Sequence, residues 1–332
     1  MWRQSGAHTL LEPLLGAVLC LPLLVANAAG PQAPADICDL YTDQRVVAIG
    51  DVHGAYEPFV AILRETGLID ARDRWIGGSA LLVQTGDVLD RGPDSRRVID
   101  LLRKLERSAA RAGGRVYALL GNHELMRLTG DWRYVSAGEV AAFRRGDSNG
   151  ADGFRAAFAA TGGYGRWLMG HAAIAKINGM IFVHGGVSPS VAPLGCRGIN
   201  AAIGTELEDV AAGRNSSAAL GDDASGPLWY RGLATEPEDA FASSVDTIFQ
   251  NLEASGMVIG HTVSPARIAT RFAGRVVMID TGMLGGEFAR DGTPSALEMR
   301  GTELTAIYLG GRREKLTTPH RSSSTPRPQS PR

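Results

Sequence analysis

The stretch VVAIGDVHG, Val46 to Gly54, runs an uncharged apolar tetrad straight into Asp51 and His53. Such a tetrad reads as a buried strand, and a carboxylate and an imidazole at its carboxyl end lie where open α/β sheets carry their ligands. Taken alone, the pair reads equally well as an ordinary turn with a surface histidine.

The pattern recurs. LLVQTG (Leu81–Gly86) delivers Asp87, followed by Asp90, Arg91 and Gly92 in GDVLDRG. VYALLG (Val116–Gly121) delivers Asn122, His123 and Glu124 in GNHE, MIFV (Met180–Val183) delivers His184 in HGG, and MVIG (Met257–Gly260) delivers His261 in GHT. The seven histidines are His8, His53, His123, His171, His184, His261 and His320, and four of them follow a buried-strand pattern. Chance placement explains that poorly, and a metal site explains it well.

The 332 residues are 44% hydrophobic and 21% charged, a soluble globular balance with room for a sizeable core. Lys+Arg 34 against Asp+Glu 35 leaves a net charge of -1, which gives no electrostatic case for nucleic acid or an anionic membrane. Arg3, the apolar run Leu14–Val25 and Ala26-Asn27-Ala28 read as an export signal over residues 1–28, so a periplasmic or secreted protein without a membrane span is expected. Pro22 argues against a core helix there, and Cys20 lacks the setting of a lipid-attachment site. Cleavage would leave Cys38 and Cys196, either one disulfide or two buried thiols.

Residues 29–40 read as a linker and 41–311 as the folded domain. Phe59, Ile62 and Leu63 before Gly67, then Val98, Leu101, Leu102 and Leu105 before Gly113, predict helices packed on the sheet. Residues 125–170 lack strand patterns and predict short helices in an insertion that could roof the site. Asn178-Gly179 predicts a tight hairpin ending at His184, with His171 structural or at the surface. Further strands are expected at Val276–Ile279 and Leu304–Leu309, an amphipathic helix through Phe241, Val245, Ile248, Phe249 and Leu252, and disorder over the Ser/Pro-rich residues 312–332.

Together GDVHG, GDVLDRG, GNHE, HGG and GHT resemble the phosphoprotein phosphatase branch of the calcineurin-like metallophosphoesterases. GNHELMRLTGDWRYV and GPLWYRG look most like its Shewanella-like bacterial phosphatases. The resemblance implies an α/β fold of two packed mixed β-sheets flanked by helices. It implies two divalent metal ions, manganese by expectation with iron or zinc as alternatives. Asp51, His53 and Asp87 would hold one metal and Asp87, Asn122, His184 and His261 the other, with Asp87 as bridge. A metal-bridging hydroxide would attack phosphorus in line. His123, oriented by Asp90, would protonate the leaving oxygen, and Arg91 would bind phosphate. For Arg231 a packed loop edge competes with a second phosphate contact, the reading we prefer. Glu124 reads as loop support.

The expected substrate is a phosphorylated protein or peptide, or a small phosphomonoester. IDTGMLGGEF (Ile279–Phe288) lacks the SAPNY-type loop of the eukaryotic serine/threonine enzymes, so their preference does not carry over and phosphotyrosine stays open. A symmetrical dinucleotide tetraphosphatase, which shares three of the motifs, is one alternative. A non-catalytic phosphate-binding protein is the other. The long insertion and export signal count against the first, and the complete ligand set with His123 against the second.

Overall fold

The computed structural model describes residues 1–2, 34–214 and 219–318. All but the first two residues of the expected export signal, with His8 and Cys20, lie outside the described residues, as does the tail from residue 319 with His320. Every named helix and strand belongs to the unit Ala33–Arg332.

The chain enters through a 3-10 turn, Pro34–Asp39, and forms β1 (Val46–Ile49), α1 (Tyr56–Glu65), β2 (Leu81–Gln84), α2 (Ser95–Arg111) and β3 (Arg115–Ala118). The three strands are parallel neighbours, with Val46 opposite Leu81 and Leu81 opposite Arg115. Side chains alternate between two cores, as a pleated strand requires. Val46, Ala48, Leu81 and Val83 face the second sheet, while Val47, Ile49 and Leu82 pack on Phe59 and Leu63 of α1 and Val98 and Leu102 of α2. With both faces covered, β1 and β2 are apolar almost throughout.

The helices α3 (Asn122–Thr129), α4 (Ala137–Ala141), α5 (Ala151–Phe158) and α6 (Gly163–Met169) follow, so the stretch expected as a short-helix insertion is helical. The second sheet begins with β4 (Ile174–Ile177) and β5 (Met180–Val183). These are antiparallel around Asn178 and Gly179, both at positive φ, the geometry of the predicted hairpin. After α7 (Gly195–Ala211), α8 (Gly232–Thr235) and α9 (Glu238–Leu252) come β6 (Gly256–Ile259), β7 (Ala269–Arg271) and β8 (Val276–Met278), giving the strand order β4-β5-β6-β8-β7.

The chain then returns to the first sheet as β9 (Ser295–Arg300), β10 (Glu303–Tyr308) and β11 (Arg313–Lys315), for the order β11-β10-β9-β1-β2-β3. Two packed mixed sheets flanked by helices are the fold that the motifs imply.

Besides the short edge strand β7, which the sequence reading does not predict, three details depart from it. The sequence does not predict β9, because Glu298 interrupts its apolar pattern; in the fold Glu298 pairs with Arg45 at 2.7 Å beside β1. Residues 313–315 are a strand rather than part of a disordered tail, held by backbone pairing to β10 with every side chain exposed. A charged edge strand of this kind carries no apolar periodicity to read. The expected linker to residue 40 already contains structure: Ile37 and Cys38 are buried, and Cys38 is disulfide-bonded to Cys196 of α7. Closing a loop of 158 residues in this way stabilises a fold by about 2 to 4 kcal/mol in typical cases.

Candidate active site

The expected ligands and acid pair emerge just beyond the carboxyl ends of strands. Asp51 and His53 follow β1, Asp87 and Asp90 follow β2, Asn122 and His123 open α3 beyond β3, His184 follows β5 and His261 follows β6. These loops are tight. His53, Asp87, Asp90, Arg91 and His261 all sit at positive φ, between 46° and 67°, a concentration of backbone strain typical of functional sites. Some motif glycines are there for space: a Cβ at Gly121 would strike the Asp87 carboxylate, and one at Gly260 would strike that of Asp51. Glu124 straps two loops together, accepting from the backbone N–H groups of Asp87 (2.7 Å), Val88 (3.0 Å) and Gly121 (2.8 Å). Burial and the nearby Asp87 charge push its carboxyl up to about 7.

The donor set converges on Asp87. His184 Nε2 lies 2.9 Å from Asn122 Oδ1, 3.1 Å from His261 Nδ1 and 3.2 Å from Asp87 Oδ2. With the His184 proton taken up at Nδ1 by the Thr85 carbonyl, Nε2 presents a lone pair to two oxygens, Asn122 Oδ1 and Asp87 Oδ2, an electron-rich cluster that a cation would satisfy. His53 Nε2 lies 3.6 Å from Asp87 Oδ2 and 3.8 Å from Asp51 Oδ2. The far ring nitrogens are already committed, His53 Nδ1 to the Leu89 carbonyl at 2.9 Å and His184 Nδ1 to the Thr85 carbonyl at 3.0 Å. That fixes the tautomer with Nε2 free, the usual support of a metal-ligating histidine. His261 Nε2 is buried without a hydrogen-bond partner among the described residues.

Electrostatics agree with this geometry. Burial, with His123 and Arg91 nearby, lowers His53 to about 4, and burial beside His184 lowers His261 to about 2, so both rings are neutral and able to ligate. Asp51 is pushed well up by burial and by the charges of Asp280 and Asp87, and its oxygens accept from the His261 N–H at 3.0 and 3.3 Å. Asp280, unassigned from sequence, is itself raised to about 6 by burial and keeps Oδ2 buried and unpartnered among the described residues. Burial works against ionisation of Asp87 too, but His184 and His123 outweigh it and hold this carboxyl well below its usual range. Buried acids pressed together beside neutral imidazoles fit divalent cations.

His123 differs from the other histidines. Nitrogen and oxygen atoms of His53, Asp87 and His123 lie within 4.8 Å of one another, as do those of Asp87, His184 and His261, so distance alone would admit His123 as a ligand. Its Nδ1, however, is bound to Asp90 Oδ2 at 2.7 Å. Its Nε2 stands 3.8 Å from Asp87 and 3.5 Å from the Arg91 guanidinium. Burial disfavours the imidazolium, but Asp87 and Asp90 together raise its pKa above the ordinary histidine value. A histidine tuned toward its protonated form serves better as an acid than as a ligand.

These groups open into a polar cavity of about 200 Å³. Arg91 lines it with its guanidinium over the rings of Phe288 (4.3 Å) and Tyr134 (5.0 Å). Arg231 lines the other side, its NH1 donating to the His261 carbonyl at 2.8 Å and to Thr262 Oγ1 at 3.0 Å. Trp229 stands edge-on to His261. The structure thus brings together all ten residues singled out from sequence, while His171 is remote, packed on Trp167 and 3.3 Å from Glu106.

Sequence reasoning missed Tyr134, Phe288 and Trp229 as walls, and Arg127 and Glu139 behind Asp90. Glu139 carried a signal of its own, as the fourth residue of the Ser136–Glu139 capping box that opens α4, and Arg127, Tyr134 and Trp229 lie within the two stretches that carry the family resemblance.

The sequence pattern of the calcineurin-like phosphoesterases matches residues 44–265. Shewanella-like protein phosphatase 2 of Arabidopsis thaliana is 31% identical over 297 residues, covering 77% of this chain and 75% of that protein. Shewanella-like protein phosphatase 1 of Plasmodium berghei is 31% identical over 250 residues, covering 72% and 67%. Among solved structures, the cold-active protein-tyrosine phosphatase of a psychrophilic Shewanella superposes with a TM-score of 0.70 at 28% identity, covering 90% of this chain and 89% of that one.

Proposed function

The chain belongs to the calcineurin-like phosphoesterases and is a metal-dependent phosphatase, and from that premise we propose that it hydrolyses phosphomonoesters on proteins or peptides, phosphotyrosine among them. The observation that carries this reading is the convergence of Asn122, His261 and Asp87 on His184 Nε2, next to an acid histidine and an arginine at one cavity.

Asp51, His53 and Asp87 would hold one divalent cation, and Asp87, Asn122, His184 and His261 the other. The bound ions, manganese on our reading, supply Lewis acidity toward the phosphoryl group and a nucleophile at neutral pH. The fork of Arg91 binds two phosphoryl oxygens, with Arg231 as a second contact across the cavity. His123 donates the Nε2 proton to the departing oxygen. Asp90, at Nδ1, keeps the ring turned toward the cavity and stabilises its charged form.

The aromatic walls support an aryl leaving group: Tyr134, Phe288 and Trp229 offer ring faces and edges to a phenol beside the phosphate. The name of the Shewanella structure, a protein-tyrosine phosphatase, favours the same preference. One or two arginines hold a single phosphoryl group, and among the described residues no cluster of further cations lines the cavity for a polyphosphate chain. We also propose that the protein works in an exported, oxidising compartment, a reading that the Cys38–Cys196 disulfide supports.

The test is a chelation series on phosphotyrosine and phosphoserine peptides with diadenosine tetraphosphate alongside. Chelation should abolish hydrolysis, manganese should restore it, and the tyrosine peptide should have the highest kcat/KM. Full turnover by metal-free protein, or a higher kcat/KM for the dinucleotide, would overturn the proposal.

A further inference from the structure

Arg127 is the largest fully buried side chain among the described residues, and the proposed chemistry makes no use of it. It lies on the first helix after the β3 loop, four positions beyond His123, and its side chain is 0% exposed. One terminal nitrogen, NH2, contacts Asp90 Oδ1 and lies 3.5 Å from Glu139 Oε1. Its Nε and NH1 have no hydrogen-bond partner among the described residues. Around it stand the rings of Phe154 (4.6 Å), Phe158 (4.8 Å) and Trp132 (5.4 Å), all from the helical insertion.

A guanidinium buried with two nitrogens unfilled is a poor device for stability, because an unbranched apolar side chain would fill the same aromatic cage without the desolvation cost. What only the cation supplies is a fixed partner for one oxygen of Asp90, whose other oxygen holds His123 Nδ1 at 2.7 Å. Glu139 closes the arrangement. Its Oε1 accepts from the Asp90 N–H at 3.2 Å and its Oε2 from the Ser136 N–H at 3.0 Å, so the backbone and the carboxylate of Asp90 are both tied to the insertion. Asp90 needs these ties, because it is held at φ 67° with 0% exposure.

We propose that Arg127 is a positioning residue for leaving-group protonation: it locks the Asp90 carboxylate against the insertion so that His123 is held ready to donate. The inference rests on the reading of His123 and Asp90 as the acid pair.

A double-mutant cycle on the metal-loaded protein tests it, with phenyl phosphate as a substrate that needs an acid and 4-nitrophenyl phosphate as one that needs it less. Arg127→Met should lower kcat on phenyl phosphate about tenfold, a fraction of what a general acid contributes. KM and metal content should stay unchanged, and the loss on 4-nitrophenyl phosphate should be smaller. In an Asp90→Asn background the same change should cost less than about twofold, since its route to His123 is already cut. Equal losses on both substrates, or full additivity in the double variant, would overturn the role of Arg127 and leave the acid pair standing. If Asp90→Asn alone keeps full kcat on phenyl phosphate, the acid pair and the inference fall together. Should Arg127→Met not fold, Arg127→Lys decides: a point charge without the fork should give a partial loss confined to phenyl phosphate, and an equal loss on both substrates counts against the proposal.

Discussion

The floor of the site and its roof are held by different means. Asp51, His53, Asp87, Asn122, His184 and His261 reach the floor from the ends of five strands in two sheets, buried and cross-braced by ring nitrogens, carbonyls and the Glu124 strap. The roof, by contrast, is anchored away from the site on α2, with Tyr164 donating to Asp100 at 2.9 Å and Trp167 to Glu106 at 3.0 Å, and it reaches the chemistry through a single loop. Tyr134 O accepts from the Arg91 N–H at 2.8 Å, Ser136 Oγ donates to the Gly92 carbonyl at 3.0 Å, and Glu139 accepts from the Asp90 N–H at 3.2 Å. The insertion therefore meets the chemistry at Asp90–Gly92, where the acid pair and the phosphate-binding arginine sit side by side. A floor of this kind should fail by losing its ions, the junction by losing rate, and the roof by losing substrate affinity.

The largest effect is expected at the centre of the floor. Asp87→Ala removes the oxygen that faces His53 and His184, and with it the neutralising charge both clusters share. Activity should fall to background and metal analysis should find both ions lost, while far-ultraviolet circular dichroism stays native. Retention of both ions at wild-type affinity would break the comparison, because the floor would no longer depend on its shared carboxylate.

The junction comes next. His123→Asn should keep both ions and lower kcat by about 100-fold or more, the usual contribution of a general acid. The His123 backbone N–H still donates to Asp87 Oδ1 in this variant, so the floor keeps that support. Loss of an ion together with the rate would move His123 from the junction to the floor and make it a ligand.

The same division explains what is legible in the sequence. Strand ends can be read because Val46–Ile49, Leu81–Gln84, Met180–Val183 and Gly256–Ile259 are short, buried on both faces and punctuated by glycine. A residue type at such an end is almost committed to one sheet edge. The roof has no comparable ruler. No periodicity in the sequence marks Arg127 for burial, which depends on Phe154 and Phe158 folding back from some 30 residues further on. Phe288 reaches Arg91 from a loop with no periodicity, and β11 forms because β10 offers a free edge, not because of its own side chains. The disulfide stays open in the sequence for a related reason: two cysteines define a possible bond only once the fold brings their Cα atoms to 5.6 Å.

The smallest effect is expected on the roof itself, at Tyr134. Its ring lies 5.0 Å from the Arg91 guanidinium and 5.1 Å from the His123 ring, but Phe288 lies closer to Arg91 at 4.3 Å, and the backbone bond from Arg91 to the Tyr134 carbonyl does not need the ring. An exposed cation–π contact contributes about 0.5 to 1 kcal/mol. Tyr134→Ala should therefore raise KM for a phosphotyrosine peptide by about two- to fivefold, with kcat within about twofold of wild type and both ions in place. Steady-state kinetics on the peptide and on inorganic phosphate as inhibitor separate the possible causes. If both KM and the phosphate inhibition constant rise, the ring acts by holding Arg91. If only KM rises, it acts on the aryl group of the substrate, and the aromatic wall sets specificity directly. A fall in kcat as deep as that of His123→Asn would mean that the roof is part of the proton-transfer machinery, and the line drawn between roof and junction would have to go.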